Sequence, residues 1–436
     1  MALTRSLPIS VSYGSFVEPL SLGTTLALPH TRSTPELTQE GRQHMKSKGV
    51  WTAAAFVLGM APGTAYAQQF SIGNVPVQVH GFMSQGFAKS NENNFLTMKT
   101  RDGSGALTDG GANLSAQFTP KFRAGAQVYL RNVGDLGNGR FELDWGYADY
   151  RFTEWIGVRG GKVKTTLGLY NDVQDIDFLH TWALLPQSLY PVDLRGSTIG
   201  HIGADVYGTV SLRQAGEFSY AAFAGKRPED PEGGYAYGLS AFNHYDSYAG
   251  NQQGADLRWT APVEGVLVGA SCLNQQIVGT GTPVSNGAPH REESKKDQTM
   301  QFYGQFARKG FRADAETRRY IRQQSLVFLN RMVNSDTHGW YVSAAQRLNK
   351  YLEVGGYVSR YVHNSRLDHS LPNNHIYDNV VTTRVDLSRY VLVKVEGHFM
   401  DGYGAQDSIR GFYSQNNKGG LKPKTNMLVL RTGFNF

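Results

Sequence analysis

Six charged side chains stand close together between Arg159 and Asp177. Arg159, Lys162 and Lys164 come first, and Asp172, Asp175 and Asp177 follow after the uncharged stretch TTLGLYN. No serine, cysteine or histidine sits among them, so nucleophilic and acid–base relays are not what this cluster offers. Opposed fixed charges offer a field instead. Charges of one sign lining a narrow passage select ions at close range, within a Debye length of ~8–10 Å. The plainer alternative is that such pairs brace neighbouring strands as cross-strand ion pairs.

The cluster opens a long connection, residues 169–199. Phe178, Leu179, Trp182, Leu184 and Leu185 follow the aspartates in a briefly helical pattern that Pro186 stops. A connection of this length is functional or disordered in a compact fold, and its apolar residues argue against disorder. We read it as a loop folded into a β-barrel, where it narrows a pore.

The elements that must position it recur along the chain. From Val77 onward, about ten residues alternate apolar with polar, then turn, and the turns alternate between very short and long. This gives about sixteen strands, with Ile156–Gly168 as the fifth and the loop directly after it. In Phe141–Ala148 the set Phe141, Leu143, Trp145 and Tyr147 alternates with Glu142, Asp144, Gly146 and Ala148. Aromatics (Phe118, Phe122, Trp155, Phe218, Trp259, Phe311, Tyr351, Tyr390) stand beside the short turns, as a membrane-interface girdle requires. The fold class predicted is therefore all-β: a transmembrane antiparallel barrel, polar inside and apolar toward lipid. Parity places Arg123, Arg131, Arg258, Arg312, Arg318, Arg322, Arg384, Lys394 and Arg431 on the lumen side, with Glu142, Asp144, Asp256, Asp314, Glu316, Asp386 and Glu396.

Other chemistries find little support. The net charge of +7 is spread out, without the clustered basic face of a nucleic-acid binder. His80 and Ser84 share a strand face and His398 lies near Glu396, yet no G-x-S-x-G or H-E-x-x-H occurs and the histidines lack zinc-like spacing. No catalytic residue, metal site or cofactor is expected. A barrel hydrolase, or a structural or adhesive barrel without transport, is the alternative. Cys272 is the single cysteine, so no internal disulfide forms.

Met45–Ala67 reads as a signal peptide, with Lys46 and Lys48, an apolar middle, and Ala65-Tyr66-Ala67 for cleavage. Residues 1–44 are then a dispensable or over-translated leader, and residues 68–436 the exported barrel.

The last strand, NMLVLRTGFNF, ends on Phe436. That terminal aromatic resembles the assembly signal of bacterial outer-membrane proteins. VHGFMSQGFAKSNENNFL, FELDWGYADYRFTEWIGVRGGKVKTTLGLYNDVQDIDF and LLPQSLYP resemble the sixteen-stranded porin superfamily, nearest its phosphate-selective group. Thr165-Thr166 departs from the Pro-Phe frequent in relatives, and no triplicated arginine ladder is present. The resemblance implies residence in the outer membrane of a Gram-negative bacterium and contact with its lipid. It also implies insertion by the barrel-assembly machinery, passage of small hydrophilic solutes or ions with weak anion preference, and association into homotrimers.

Overall fold

The computed structural model describes residues 68–404 and 411–436. The expected leader and signal peptide, residues 1–67, lie outside them. A short strand β1 (Gln68–Ile72) folds back on β2 (Val75–Ser90), pairing Gln68 with Val79. Then follow β3 (Ser104–Thr119), β4 (Phe122–Val133), β5 (Phe141–Thr153) and β6 (Ile156–Lys164). After the long connection come β7 (Gly200–Ser211), β8 (Glu217–Arg227), β9 (Asn243–Thr260), β10 (Val266–Pro283) and β11 (His290–Arg308). The wall is completed by β12 (Phe311–Leu326), β13 (Arg331–Arg347), β14 (Leu352–Val362), β15 (His375–Asp386), β16 (Val391–Asp401) and β17 (Lys424–Asn435).

Each strand from β2 to β17 pairs antiparallel with the next, and β17 pairs with β2, so the 16-stranded barrel is closed. Closure leaves no unpaired edge among these strands, the condition for spanning hydrocarbon with β-structure. The alternation expected along the chain is what the wall carries. Leu428 and Leu430 are exposed outward on β17, while Met427, Val429 and Arg431 are buried between them. Phe118, Trp155, Trp259, Phe311 and Tyr351 are exposed beside the short turns.

Two differences from the sequence reading are physical. First, several strands run further at their long-loop ends. β3 begins at Ser104 rather than Asn113, β9 at Asn243 rather than Ala255, and β11 at His290 rather than Thr299. Apart from Leu107 in β3 and Tyr245 and Tyr248 in β9, these extensions carry polar or small residues, so they give little period-2 signal although their ladders continue. Second, Trp145 and Tyr147 do not share the outward face of Phe141 and Leu143. On β4, Gln127 pairs with Trp145 while the next residue, Val128, pairs with Leu143, leaving Asp144 as a bulge. The extra residue reverses the alternation beyond it. Asp144 and Asp149 are consequently both buried although they stand an odd number of residues apart.

Candidate functional site: the loop and the charged wall

β6 ends at Lys164, and residues 165–199 connect it to β7. Apart from short turns at Asp177–Leu179, Val192–Leu194 and Arg195–Thr198, this connection is irregular. The helix suggested by Phe178–Leu185 does not form, because the backbone finds its hydrogen bonds elsewhere. Glu396 on β16 accepts the N–H groups of Ala183 and Leu184, each at 2.9 Å. Arg384 on β15 donates to the carbonyls of Phe178 at 3.0 Å and His180 at 2.9 Å. Lys394 donates to those of Asp177 and Trp182, and Arg431 to that of Ala183. Arg384, Lys394 and Arg431 are direct partners in register across β15, β16 and β17, a basic row whose donors replace the donors of a helix.

The opposite part of the loop is held by acids. Glu316 on β12 accepts from the Tyr190 hydroxyl at 2.7 Å, from the Tyr341 hydroxyl at 2.6 Å and from the Leu169 N–H at 3.0 Å. Tyr170 donates to Asp314, and Gly168 N–H to Ser271 on β10 at 2.9 Å. A segment whose partners lie on β5, β10, β12, β15, β16 and β17 reaches them across the space those strands enclose. Apolar contacts add to the polar ones. Trp182, Leu185, Leu189 and Tyr190 pack with Tyr341, Tyr357 and Val380; Ala183 and Leu184 pack with Leu107, Val133 and Met400. Burying one such side chain contributes about 1.5–3 kcal/mol, which offsets the ~1–2 kcal/mol per residue of backbone ordering.

The six charged residues do not form one opposed pair of rows. Asp175 meets Lys164 at 2.5 Å and accepts from Gln127 at 2.8 Å, and Lys164 also lies 3.3 Å from Asp144. Asp177 instead meets Arg431 at 2.7 Å and Lys394 at 3.6 Å. Arg159 pairs with Asp205 on β7 at 2.9 Å. Lys162 is in register with Ile202, an outward, half-exposed residue, and its ammonium bonds the carbonyl of Leu143. It stands apart from the aspartates. Asp172 is half-buried in the loop. The missing partner is Arg195, nearly fully buried, which meets Asp144 at 2.8 Å and stacks on Tyr129 with its guanidinium 3.8 Å from the ring centre. Strand alternation could not find it, since it sits in the loop; its only sequence signal is a lone base following an acidic segment.

Burial alone would raise both loop carboxyls. Lys164 and Arg195 outweigh it at Asp175, and Arg431 and Lys394 at Asp177, so both are held below the usual carboxylate range. Burial, reinforced by Lys394, pushes His180 down to about 3.

On the short-turn side of the loop the wall carries a second arrangement. Arg123, Asp149, Arg159 and Asp205 are successive partners in register across β4, β5, β6 and β7. Arg123 keeps 29 % of its side chain exposed and its partner Asp149 only 2 %. The same inequality holds for Arg159–Asp205, Arg258–Asp256 and Arg312–Asp314. In each pair water meets the guanidinium, and the carboxylate lies beneath it. Of the remaining lumen bases, Arg131 donates to the Val192 carbonyl, Arg318 to that of Leu189, and Arg322 to Tyr248.

A nucleophile-like series, Thr165 Oγ1 to His201 at 3.1 Å and His201 to Asp205 at 2.5 Å, stands at the root of the loop. All three side chains are buried and Phe223 stacks on the imidazole at 4.9 Å, so no substrate reaches them. They tie the loop's two ends together.

No protein-family model and no curated protein sequence matches the chain. Solved structures do. The anion-selective porin of Comamonas acidovorans aligns over 83 % of this chain and 100 % of its own, at 11 % identity and a TM-score of 0.54. The outer-membrane channel DcaP of Acinetobacter baumannii aligns over 85 % and 100 %, at 11 % identity and 0.52. Salmonella typhi OmpF, in complex with daunomycin, gives the same shares, identity and score. Identities this low speak for the fold alone, and the closed wall agrees with them: the chain has the sixteen-stranded barrel fold of the outer-membrane porins.

Proposed function

We propose that the chain forms a water-filled channel across the outer membrane of a Gram-negative bacterium, through which small hydrophilic solutes or ions diffuse. Residues 169–199 are its constriction. The observation that carries this reading is the set of bonds holding that segment to strands of a charged wall from β4 and β5 through β12 to β15, β16 and β17. A loop so held narrows the passage without moving. Weak anion preference follows from the water-facing arginines over buried carboxylates, and the Comamonas acidovorans porin is described as anion-selective. Preference stays weak because every such arginine has its acid beside it, so the net field is small. Lipid covers the outward apolar belt, insertion falls to the barrel-assembly machinery, and three barrels associate, as the superfamily resemblance implies.

Planar-bilayer recording of the refolded chain in a salt gradient tests this. Ohmic conductance with a reversal potential modestly on the anion side is expected, and deleting residues 171–197 should raise single-channel conductance. A barrel that inserts yet carries no current sinks the reading.

A further inference from the structure

In the closed ring β9 stands seven places from β2, nearly opposite it. The connection that enters β9, residues 228–242, carries a short helix, Gly234–Leu239. This helix is moored near its own strands. The Tyr235 ring stacks on Tyr248 of β9 at 4.8 Å, and the Arg322 guanidinium of β12 lies 4.4 Å from its centre. Two residues on, Tyr237 is clasped from the far rim. Its hydroxyl lies 2.9 Å from Asn416 Oδ1 and 3.1 Å from the Asp135 carboxylate, and its ring meets Tyr413 edge-on at 5.0 Å. Gln415 donates to the Gly238 carbonyl at 2.9 Å. Asp135 follows β4, and residues 413–416 stand between β16 and β17. The helix is therefore strapped across the long-loop mouth, from one side of the ring to the other.

What it lies on is firm. Leu96 and Phe412 pair as a parallel bridge, Asn94 N–H donates to Asn417 Oδ1 at 2.7 Å, and Leu96, Phe412 and Tyr413 are fully buried. Asp193 of the constriction accepts from the Tyr413 hydroxyl at 2.5 Å and from the Gly411 N–H at 3.1 Å. Gly234 sits on this joint: a Cβ there would stand 2.6 Å from the Tyr413 hydroxyl and 2.8 Å from the Asp193 carbonyl. The two attachments of the helix are unequal. Its mooring is to buried Tyr248 and Arg322, whereas Tyr237, Gln415 and Asn416 of the clasp are half-buried. The clasp's hydrogen bonds are ones that water can replace, so each is weak in net terms, and segments held in this way open first.

We propose that residues 228–242 are a lid over the long-loop mouth. It is closed in this structure; it swings on the mooring at Tyr248 and Arg322 when the clasp at Tyr237 parts, and so gates entry to the constriction. The lid rests on the channel reading, because it governs that passage, but its opening can be measured without current.

Thiol labelling of the refolded full chain reads the opening. Ala236 on the helix is 5 % exposed, so a thiol placed there by Ala236→Cys, with Cys272→Ser, is covered while the lid is down. A maleimide in solution should label it slowly. Adding Tyr237→Phe, which removes the clasp's hydroxyl, should speed labelling about ten-fold. Adding Gly234→Val instead, a wedge at the joint, should speed it at least as much. Single-channel recording of the same variants reads the gate: closures should be shorter and rarer after either change. Labelling rates unmoved by both substitutions, or faster labelling with closures unchanged, overturn the proposal. A chain that conducts while both readouts stay unmoved loses the lid alone. Faster labelling with no current in any variant would show a lid that moves over no passage, and sinks the channel reading.

Discussion

Lys394 on β16 reaches the carbonyl oxygen of Asp177 at 2.8 Å and stands 3.6 Å from the same residue's carboxylate. One ammonium thus grips both the backbone and the side chain of the loop, and a third bond runs to Trp182. The Lys394 side chain is fully buried. It shows how the loop is held: the wall supplies charged donors and acceptors, and the loop turns its own peptide groups toward them rather than into a helix.

Lys394→Met removes one partner of a buried ion pair and leaves two carbonyls without this donor. Losses of this kind cost about 3–5 kcal/mol. The variant should still insert, since the ladder of β16 is untouched, but its loop should loosen. A lower thermal midpoint for the folded barrel in detergent, together with noisier and larger single-channel currents, is expected. Quiet currents of unchanged size would mean Lys394 does not hold the constriction.

Arg123→Gln with Arg159→Gln removes two water-facing charges and leaves Asp149 and Asp205 in place. The reversal potential in a salt gradient should move toward cations, by roughly a two-fold change in permeability ratio, and most at low salt where screening is weak. Lys162→Gln, whose ammonium lies apart from the loop's aspartates, should move it much less. Equal shifts from the two changes would displace the selectivity from the row of β4–β7.

Much of this wall was legible in the sequence, because a half-lipid, half-water sheet stamps a period of two on every strand. That is why the count of sixteen, and the standing of Lys394, Arg384 and Arg431 on one face of the wall, could be read from alternation. What alternation cannot register is a single inserted residue. Asp144 is such a residue, and its bulge turned Trp145 and Tyr147 away from the face their position suggested. Pairing within the loop was equally hidden. Asp175 and Asp177 are two residues apart, yet one bonds Lys164 at the end of β6 and the other Arg431 on β17, strands far apart in the chain. Only the closed ring, with β17 beside β2, brings Arg431 there.

Acid should release the loop. Asp175 and Asp177 have folded-state values below their unfolded ones, so their contribution is full above about pH 4 and is lost as pH falls through the folded values. His180 acts with the same sign. Unfolded, it takes a proton near pH 6.5, whereas the folded chain resists until about 3, so stability declines across that window as pH falls. The thermal midpoint should therefore drop from about pH 6.5 downward and more steeply below about pH 4. His180→Gln should flatten the upper part only. A midpoint indifferent to pH between 7 and 3 would contradict the burial of all three groups.

The terminal aromatic can be tested apart from conduction. Phe436 exchanges backbone hydrogen bonds with Gly81 on β2, donating at 2.9 Å and accepting at 3.2 Å, and so fixes the closing seam between the last strand and the first of the wall. Its ring lies where a side chain at position 81 would go: a Cβ there would stand 2.3 Å from the ring edge. Glycine at 81 therefore seats the terminal ring as well as pairing with it. Deleting Phe436, or Phe436→Ala, should lower the amount of folded barrel in the outer membrane while synthesis continues. Gly81→Val should do likewise by displacing the ring, and the pair Gly81→Val with Phe436→Ala should recover part of the loss if crowding at the seam is the cause. Should the ring act only as a signal to the assembly machinery, the double variant will be no better than Phe436→Ala and Gly81→Val alone will assemble normally. Folded and unfolded forms separated by heat-dependent gel mobility of the membrane fraction distinguish these outcomes.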